Sequence, residues 1–412
     1  MTAAGAQYIT GMQSPTVLIN GAGIAGPALA FWLNRAGYRV IVLELASSIR
    51  PGGQTVDLRG TGREVVKRMG LLDQMRARAL HQSGAAWVKG DGSRRAEMPV
   101  TAFGGNGLVS SLEILRGDLA AVLYEATRED VDYRFGSTVT GLEQSEDGVT
   151  ATLANGTRLP VDLVVGADGP HSAVRRIGFG PEDRYVRPLG GYHAWFSAPD
   201  TVGLDGWFLL YQAPGGLNAS MRPSHDPAIA KAGLAFQSEP LDYDRHDIDE
   251  QRQILVHRFA GAGWHCDALL AAAADADDFY FDAFAQVHMP TWSSGRVTLV
   301  GDAGYCASPL SGMGTSLALV GAYVLAGELG PAERFDATRL APALARYEQA
   351  MRPYVDRCQD LPRGVEGYAP MRESDIVITA AVMKWCQRWP FRSVAEKKWF
   401  TTADSITLPD YR

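Results

Sequence analysis

Buried-strand and amphipathic-helix patterns alternate along the first part of the chain. Thr16-Val17-Leu18-Ile19-Asn20 is a short apolar run ending in a glycine cluster, which predicts a strand covered on both faces. Ala25 to Ala36 follows with helical spacing. Pro27 falls in the first turn, where no N–H is needed, and Gly37 stands where a C-cap is wanted. Arg39-Val40-Ile41-Val42-Leu43-Glu44 is the next strand, so residues 16–44 read as one βαβ unit with a parallel strand pair. Residues 61–80 and 112–127 read as helices. Val149 to Leu153 and Thr157 to Leu159 flank Asn155-Gly156, which predicts a hairpin, and Val161 to Val165 is another buried strand. From about 180 to 285 the pattern changes: Tyr192, Trp195, Phe196, Trp207, Phe208, Tyr211 and Phe236 interleave with small residues, as in a mostly antiparallel sheet. Arg296 to Val300 returns to the buried-strand pattern, and helical spacing dominates after 310.

The loops that follow these strands carry the candidate chemistry. In Gly21-Ala22-Gly23-Ile24-Ala25-Gly26 the first glycine permits a tight turn, the second lets backbone approach a pyrophosphate, and the third lets helix and sheet pack closely. The helix opening at Ala25 would turn its unpaired N–H groups toward the phosphates. Glu44, at the end of the second strand, is placed to accept from adenosine ribose hydroxyls. Taken alone, such a loop could be a glycine-rich turn beside an incidental acid. Two further segments weigh against that reading: Gly166-Ala167-Asp168-Gly169 and Gly301-Asp302-Ala303-Gly304. Asp302 just past a strand end can accept a ribitol hydroxyl. The small residues from Pro309 through Gly312, Met313 and Gly314 let a flat ring approach the backbone, and a helix starting near Thr315 would aim N–H groups at that ring. Three such motifs in this order point to FAD.

The order GAGIAG, Glu44, Leu112-x-x-x-Arg116-x-x-Leu119, GADG with Ser172 and Arg175, and GDAG followed by PLSGMG resembles the class A FAD-dependent monooxygenases of the p-hydroxybenzoate hydroxylase fold. Within that family, Arg50-Pro51-Gly52-Gly53-Gln54-Thr55-Val56-Asp57 is similar to a segment of the tetracycline-inactivating flavin monooxygenases. The resemblance implies an α/β fold: a Rossmann-like FAD-binding domain from 15–179 and 286–360, a mostly antiparallel substrate-binding sheet over 180–285, and a C-terminal helical segment, 361–412, bridging the two. Residues 1–14 are expected to form a flexible tail. The resemblance also assigns Arg50 to the approach of the nicotinamide, Asp57 and Arg116 to FAD, and Asp168 to the flavin and NAD(P)H region. It implies that NADPH or NADH reduces FAD, that O₂ adds to give a C4a-hydroperoxide, and that this oxygenates an aromatic or polyketide-like molecule with no dedicated catalytic side chain. Trp195 stands where tetracycline-modifying relatives carry a polar contact, so tetracycline is not carried over as substrate. Gly304-Tyr305 and Thr315-Ser316 also depart from the usual spelling of the second flavin loop.

An oxygenating flavin site must be dry, and Tyr192, Trp195, Phe196, Trp207, Tyr211 and Met221, with Arg222 and His193 as polar contacts, are the candidate lining. Three other readings remain: a reductase or oxidase of the same fold, a flavin-containing ligand-binding protein without turnover, and a halogenase, disfavoured because WxWxIP is absent. Among 412 residues the net charge is −7 with no long basic run, which weighs against nucleic acid. Four scattered cysteines form no metal spacing. No leader pattern or membrane-length apolar run is read, so a cytoplasmic protein, monomeric or weakly dimeric, is expected.

Overall fold

The computed structural model describes residues 14–105, 107–361, 365–388 and 402–411. The expected N-terminal tail, apart from Ser14, lies outside the described residues, as do Trp389 and Trp399 of the C-terminal segment.

A six-stranded sheet has the order Ser293–Ser294, Val297–Leu299, Leu163–Gly166, Thr16–Asn20, Arg39–Glu44 and Asp132–Phe135. Every pair is parallel except the antiparallel edge Ser293–Ser294. Its central strands are buried on both faces, with the helix Ala25–Arg35 against one and the three-stranded sheet of Val139–Gln144, Val149–Leu153 and Arg158–Val161 adding to the same core. The helix Ala25–Arg35 packs on the long helix Gly314–Leu329. The latter is buried from Thr315 through Ala326 with no polar face, as a central core helix must be.

The second sheet has seven strands in the order Tyr280–Val287, Val186–Pro199, Ile229–Gln237, Leu217–Pro223, Trp207–Ala213, Gly84–Val88 and Arg94–Pro99. It is antiparallel but for the pairing of Trp207–Ala213 with Gly84–Val88. The expected limits of 180–285 therefore need amending: two edge strands come from before residue 100. Gly84 to Val88 is apolar and small throughout, so its pattern does not tell which sheet it joins.

Other expectations shift slightly. The Asn155-Gly156 hairpin is present, with Gly156 at φ +83°, pairing Val149–Leu153 with Arg158–Val161. Residues 112–127 divide into a short strand, Glu113–Leu115, paired with Thr55–Asp57, and the helix Arg116–Glu125. The chain after 360 touches both sheets' domains. The Gln212 and Asn218 side-chain amides donate to the Gly367 and Tyr368 carbonyls, and Gln237 donates to that of Ala369. Further on, Thr61 donates to the Ile406 carbonyl and Arg68 to that of Pro409. Among the described residues no helix is long and apolar enough to cross a membrane.

Candidate flavin and substrate site

The first glycine loop is shaped by contacts that admit no side chain. Gly21 sits at φ +114°, and a Cβ there would lie 2.5 Å from the Ala167 carbonyl oxygen. A Cβ on Gly26 would lie 1.9 Å from the Gly21 carbonyl oxygen, so strand and helix meet at backbone distance. Such a cradle of bare backbone beside the opening of the helix Ala25–Arg35 fits a pyrophosphate. Glu44 accepts from the Ala22 and Ala46 N–H groups at 2.9 Å each, which fixes its carboxylate at the loop.

The three motifs converge. A Cβ on Gly301, at φ +66°, would stand 3.0 Å from that of Ala25. Asn20 donates to Asp168 at 2.9 Å. Arg175, fully buried, donates to the Ala303 carbonyl at 2.9 Å and also to that of Pro170, stitching the second and third motifs together. A Cβ on Gly23 would be 3.3 Å from an Arg116 terminal nitrogen, and a Cβ on Gly314 3.9 Å from Asp302 Oδ1. Thus Gly23 neighbours Arg116 and the start of the helix Gly314–Leu329 neighbours Asp302, with the Arg116 charge felt at Asp302. Burial raises the Asp302 carboxyl above the usual range, with Arg116 and the Cys306 thiol pulling the other way. A half-buried carboxylate so placed suits a ribitol hydroxyl donor. Pro309 opens a single 3₁₀ turn, Gly312 follows at φ +64°, and Met313 and Thr315 are buried at the helix start.

Asp168 is placed differently from the expectation. Its carboxylate accepts from Asn20, from Ser172 and from the N–H groups of Ala173 and Val174, at the start of the helix Ala173–Phe179. It serves as a cap and tie, which leaves little acceptor capacity for a cofactor. Arg50 is exposed, on a segment whose Gly52 carbonyl accepts from the Gly117 N–H beside Arg116. Asp57 pairs with Arg59 at 3.0 Å and stands directly across from Glu113.

Strand alternation divides the expected substrate lining. Registered pairs put Tyr192, Phe196, Trp207, Tyr211 and Met221 on one face, and His193, Trp195, Ser220 and Arg222 on the other. The first face packs under the helices Ile248–Phe259 and Cys266–Asp275. There the Tyr192 hydroxyl accepts from the Leu241 N–H, and that of Tyr211 donates to the Ala262 carbonyl. Tyr192 and Met221 are core residues of that layer, Trp207 and Tyr211 pack partly buried against it, and all four are withdrawn from the substrate set. Aromatic content alone did not reveal which parity faces the flavin domain.

The second face does turn toward it. Arg222 reaches Glu113 at 3.2 Å, and Lys231 bonds Ser197 and Asp278 beside Gly52. The Trp195 ring lies nearly parallel to that of Tyr280, centroids 6.0 Å apart, and His193 lies between Trp195 and Phe284 at 4.1 and 4.5 Å. Burial lowers His193 to about 4, so its imidazole is neutral. Tyr280 donates to Asp282 at 2.7 Å, and Asp282 meets His171, which also bonds Glu182 at 2.8 Å. Burial pulls His171 down, but its two carboxylate partners outweigh this and hold it at about 9. The partners of His171 lie 11 and 111 residues away, beyond the reach of any local pattern.

Tyr305, one of the departures in the second flavin loop, is a core residue. Its hydroxyl meets that of Tyr347 at 2.9 Å and its ring packs on Trp292. A Cβ on Gly321 would collide with it, so the helix supplies a glycine where the phenol needs room.

With this geometry the likenesses to known proteins agree. The family described as FAD binding domain matches residues 14–361, and the chain belongs to it. A flavin-dependent monooxygenase of Legionella longbeachae is 40% identical over 83% of this chain and 86% of its own. The FAD-dependent monooxygenase asL4 of Sarocladium schorii is 35% identical over 90% of this chain and 92% of its own. The crystal structure of tetracycline destructase Tet(51) superposes with a TM-score of 0.82 at 34% identity, covering 97% of this chain and all, 100%, of that one.

Proposed function

We propose that this chain is an FAD-dependent monooxygenase that draws electrons from NADH or NADPH and hydroxylates a planar aromatic or polyketide-like molecule with O₂. FAD, when bound, supplies the redox and oxygen-activating chemistry. The chain's own residues bind and orient: Gly21, Gly23 and Gly26 at the pyrophosphate, Glu44 at the adenosine ribose, Asp302 at the ribitol, and Arg116 beside them. Arg50 is assigned to the nicotinamide's approach and Asp57 to the flavin side of the strand pair.

The observation that carries the substrate reading is the second face of the seven-stranded sheet. Trp195, Tyr280, Phe284 and the neutral His193 form an aromatic wall, and Arg222 lies 3.6 Å from the Phe208 ring as the polar anchor. A flat, oxygenated ring system suits such a wall better than a charged or aliphatic one. The names of the relatives support this class, since one is a destructase of tetracycline, itself a polycyclic polyketide.

The test is NAD(P)H consumption in air by FAD-loaded protein across a panel of phenols, hydroxyquinones and polycyclic polyketides, with mass spectrometry of the products. A product heavier by one oxygen atom, with NAD(P)H consumed in step, is expected. Stimulated consumption with no oxygenated product would favour a reductase or oxidase instead.

A further inference from the structure

The strand pair Thr55–Asp57 and Glu113–Leu115 sets two acids side by side, because Asp57 and Glu113 are direct cross-strand partners. Like charges in that register repel. The Glu113 side chain is wholly buried, 0% exposed, and Asp57 is 19% exposed. Two arginines flank the acids: Arg59 bonds Asp57 at 3.0 Å, and Arg222 bonds Glu113 at 3.2 Å. The other Glu113 oxygen accepts from the Ser110 N–H at 3.3 Å. Asp57 Oδ1 is buried and meets no donor among the described residues except what Glu113 could offer. Two ionised carboxylates would leave that oxygen unpaired against a like charge. One proton between them supplies the missing donor.

Arg222 comes from the substrate sheet, and Glu113 stands three positions before Arg116 at the flavin site. Its guanidinium carbon lies 3.6 Å from the centre of the Phe208 ring. A stacked arginine held at one end by a carboxyl group presents its remaining N–H groups in a fixed direction.

We propose that Glu113 is the positioning residue for Arg222: the Asp57–Glu113 pair carries a single shared proton and, in that state, fixes the guanidinium on Phe208 as the docking point for an anionic or enolic oxygen of the substrate. The inference deepens the monooxygenase reading and rests on it for the word substrate. The charged groups facing Glu113 are Asp57 and Arg59 from the first strand and its end, and Arg222 from the substrate sheet. Burial pushes the Glu113 carboxyl up to about 8, Arg222 opposing and Asp57 adding. Above that pH the pair loses its proton, and two carboxylates compete with the substrate oxygen for the Arg222 charge.

Three measurements on FAD-loaded protein decide it. Infrared difference spectra of the wild type should show a buried protonated carboxyl that fades as pH rises through about 8 and is absent from Glu113→Gln. In a crystal structure of Glu113→Leu, Arg222 should leave Phe208, while Glu113→Gln, which keeps an acceptor oxygen, retains it. With the panel compound that most stimulates the wild type, Glu113→Leu should raise KM about tenfold at unchanged FAD content, about 1.4 kcal/mol. Glu113→Gln should also lose the rise in KM that the wild type shows above pH 8. A carboxyl band that persists in Glu113→Gln, or Arg222 holding its place in Glu113→Leu, would overturn the proposal. If no panel compound is oxygenated, the monooxygenase reading fails, while the spectra and crystal structures still decide the shared proton and the hold on Arg222.

Discussion

The Gly26 α-carbon and the Gly21 carbonyl oxygen are so close that a Cβ on Gly26 would lie 1.9 Å from that oxygen. The contact is backbone on backbone, so no rotamer relieves it. Gly26→Ala should cost about 3 kcal/mol, at the upper end for overpacking, and displace the loop proposed to hold the pyrophosphate. The flavin-to-protein absorbance ratio should fall well below that of the wild type, and a ratio equal to it would remove the close-packing account.

Asp302, proposed to hold the ribitol, would do so at the expense of the empty fold. Its pKa is raised by burial, so the folded state binds a proton that the unfolded state has released. Stability from this group therefore falls as pH rises above its ordinary carboxyl range. Asp302→Asn apoprotein should melt higher than the wild type at pH 8, the difference vanishing toward pH 3. The same variant should bind FAD about tenfold more weakly, consistent with one lost hydrogen bond to a charged group. Equal FAD affinity would exclude the ribitol role.

His171 gives the opposite pH signature. Its pKa is raised to about 9 in the folded state, so its stabilisation is fully present below about 6.5 and is lost as pH rises through 9. Partial exposure screens the pairs, and about 1 kcal/mol is the expected loss in His171→Gln at pH 6. Urea titrations of both proteins at pH 6 and pH 10 should show a gap that closes at the higher pH. A gap independent of pH would contradict the ionic account.

The two faces of the seven-stranded sheet predict two kinds of variant. Met221→Ala, in the helix-covered layer, should lower stability by about 2–5 kcal/mol with little change in KM. Trp195→Ala should do the reverse, raising KM about tenfold while FAD content and melting stay near wild type. The reverse pairing of effects would show that the face assignment is inverted.

Much of the flavin-binding fold could be read from the chain because glycine loops and apolar strands are local signals. Gly21, Gly26 and Asp302 sit where their neighbours in sequence put them. What was hidden depends on partners far away. Gly84–Val88 joins a strand from beyond residue 200 in a parallel pairing that no local pattern records. Tyr192 and His193 are adjacent, yet one packs under helices and the other faces the flavin domain, a difference of parity that composition does not carry. Asp168 stood within a recognisable motif, but its carboxylate is consumed by Asn20 and the helix it caps. Glu113, lost inside a predicted helix, turned out to be a strand residue buried against Arg222.

The segment 367–369, over the seven-stranded sheet, is tied down through its Gly367, Tyr368 and Ala369 carbonyls, which accept from Gln212, Asn218 and Gln237. Main-chain oxygens are the same for every residue type, so these ties, unlike the bond of the Tyr368 hydroxyl to the Phe236 carbonyl, do not depend on which side chains the segment bears. A substitution at Tyr368 would therefore alter the edge-on packing against Phe284 while leaving the main-chain ties in place. The segment is thus a tether whose main-chain ties would survive a change of side chain at Tyr368, beside the proposed aromatic wall.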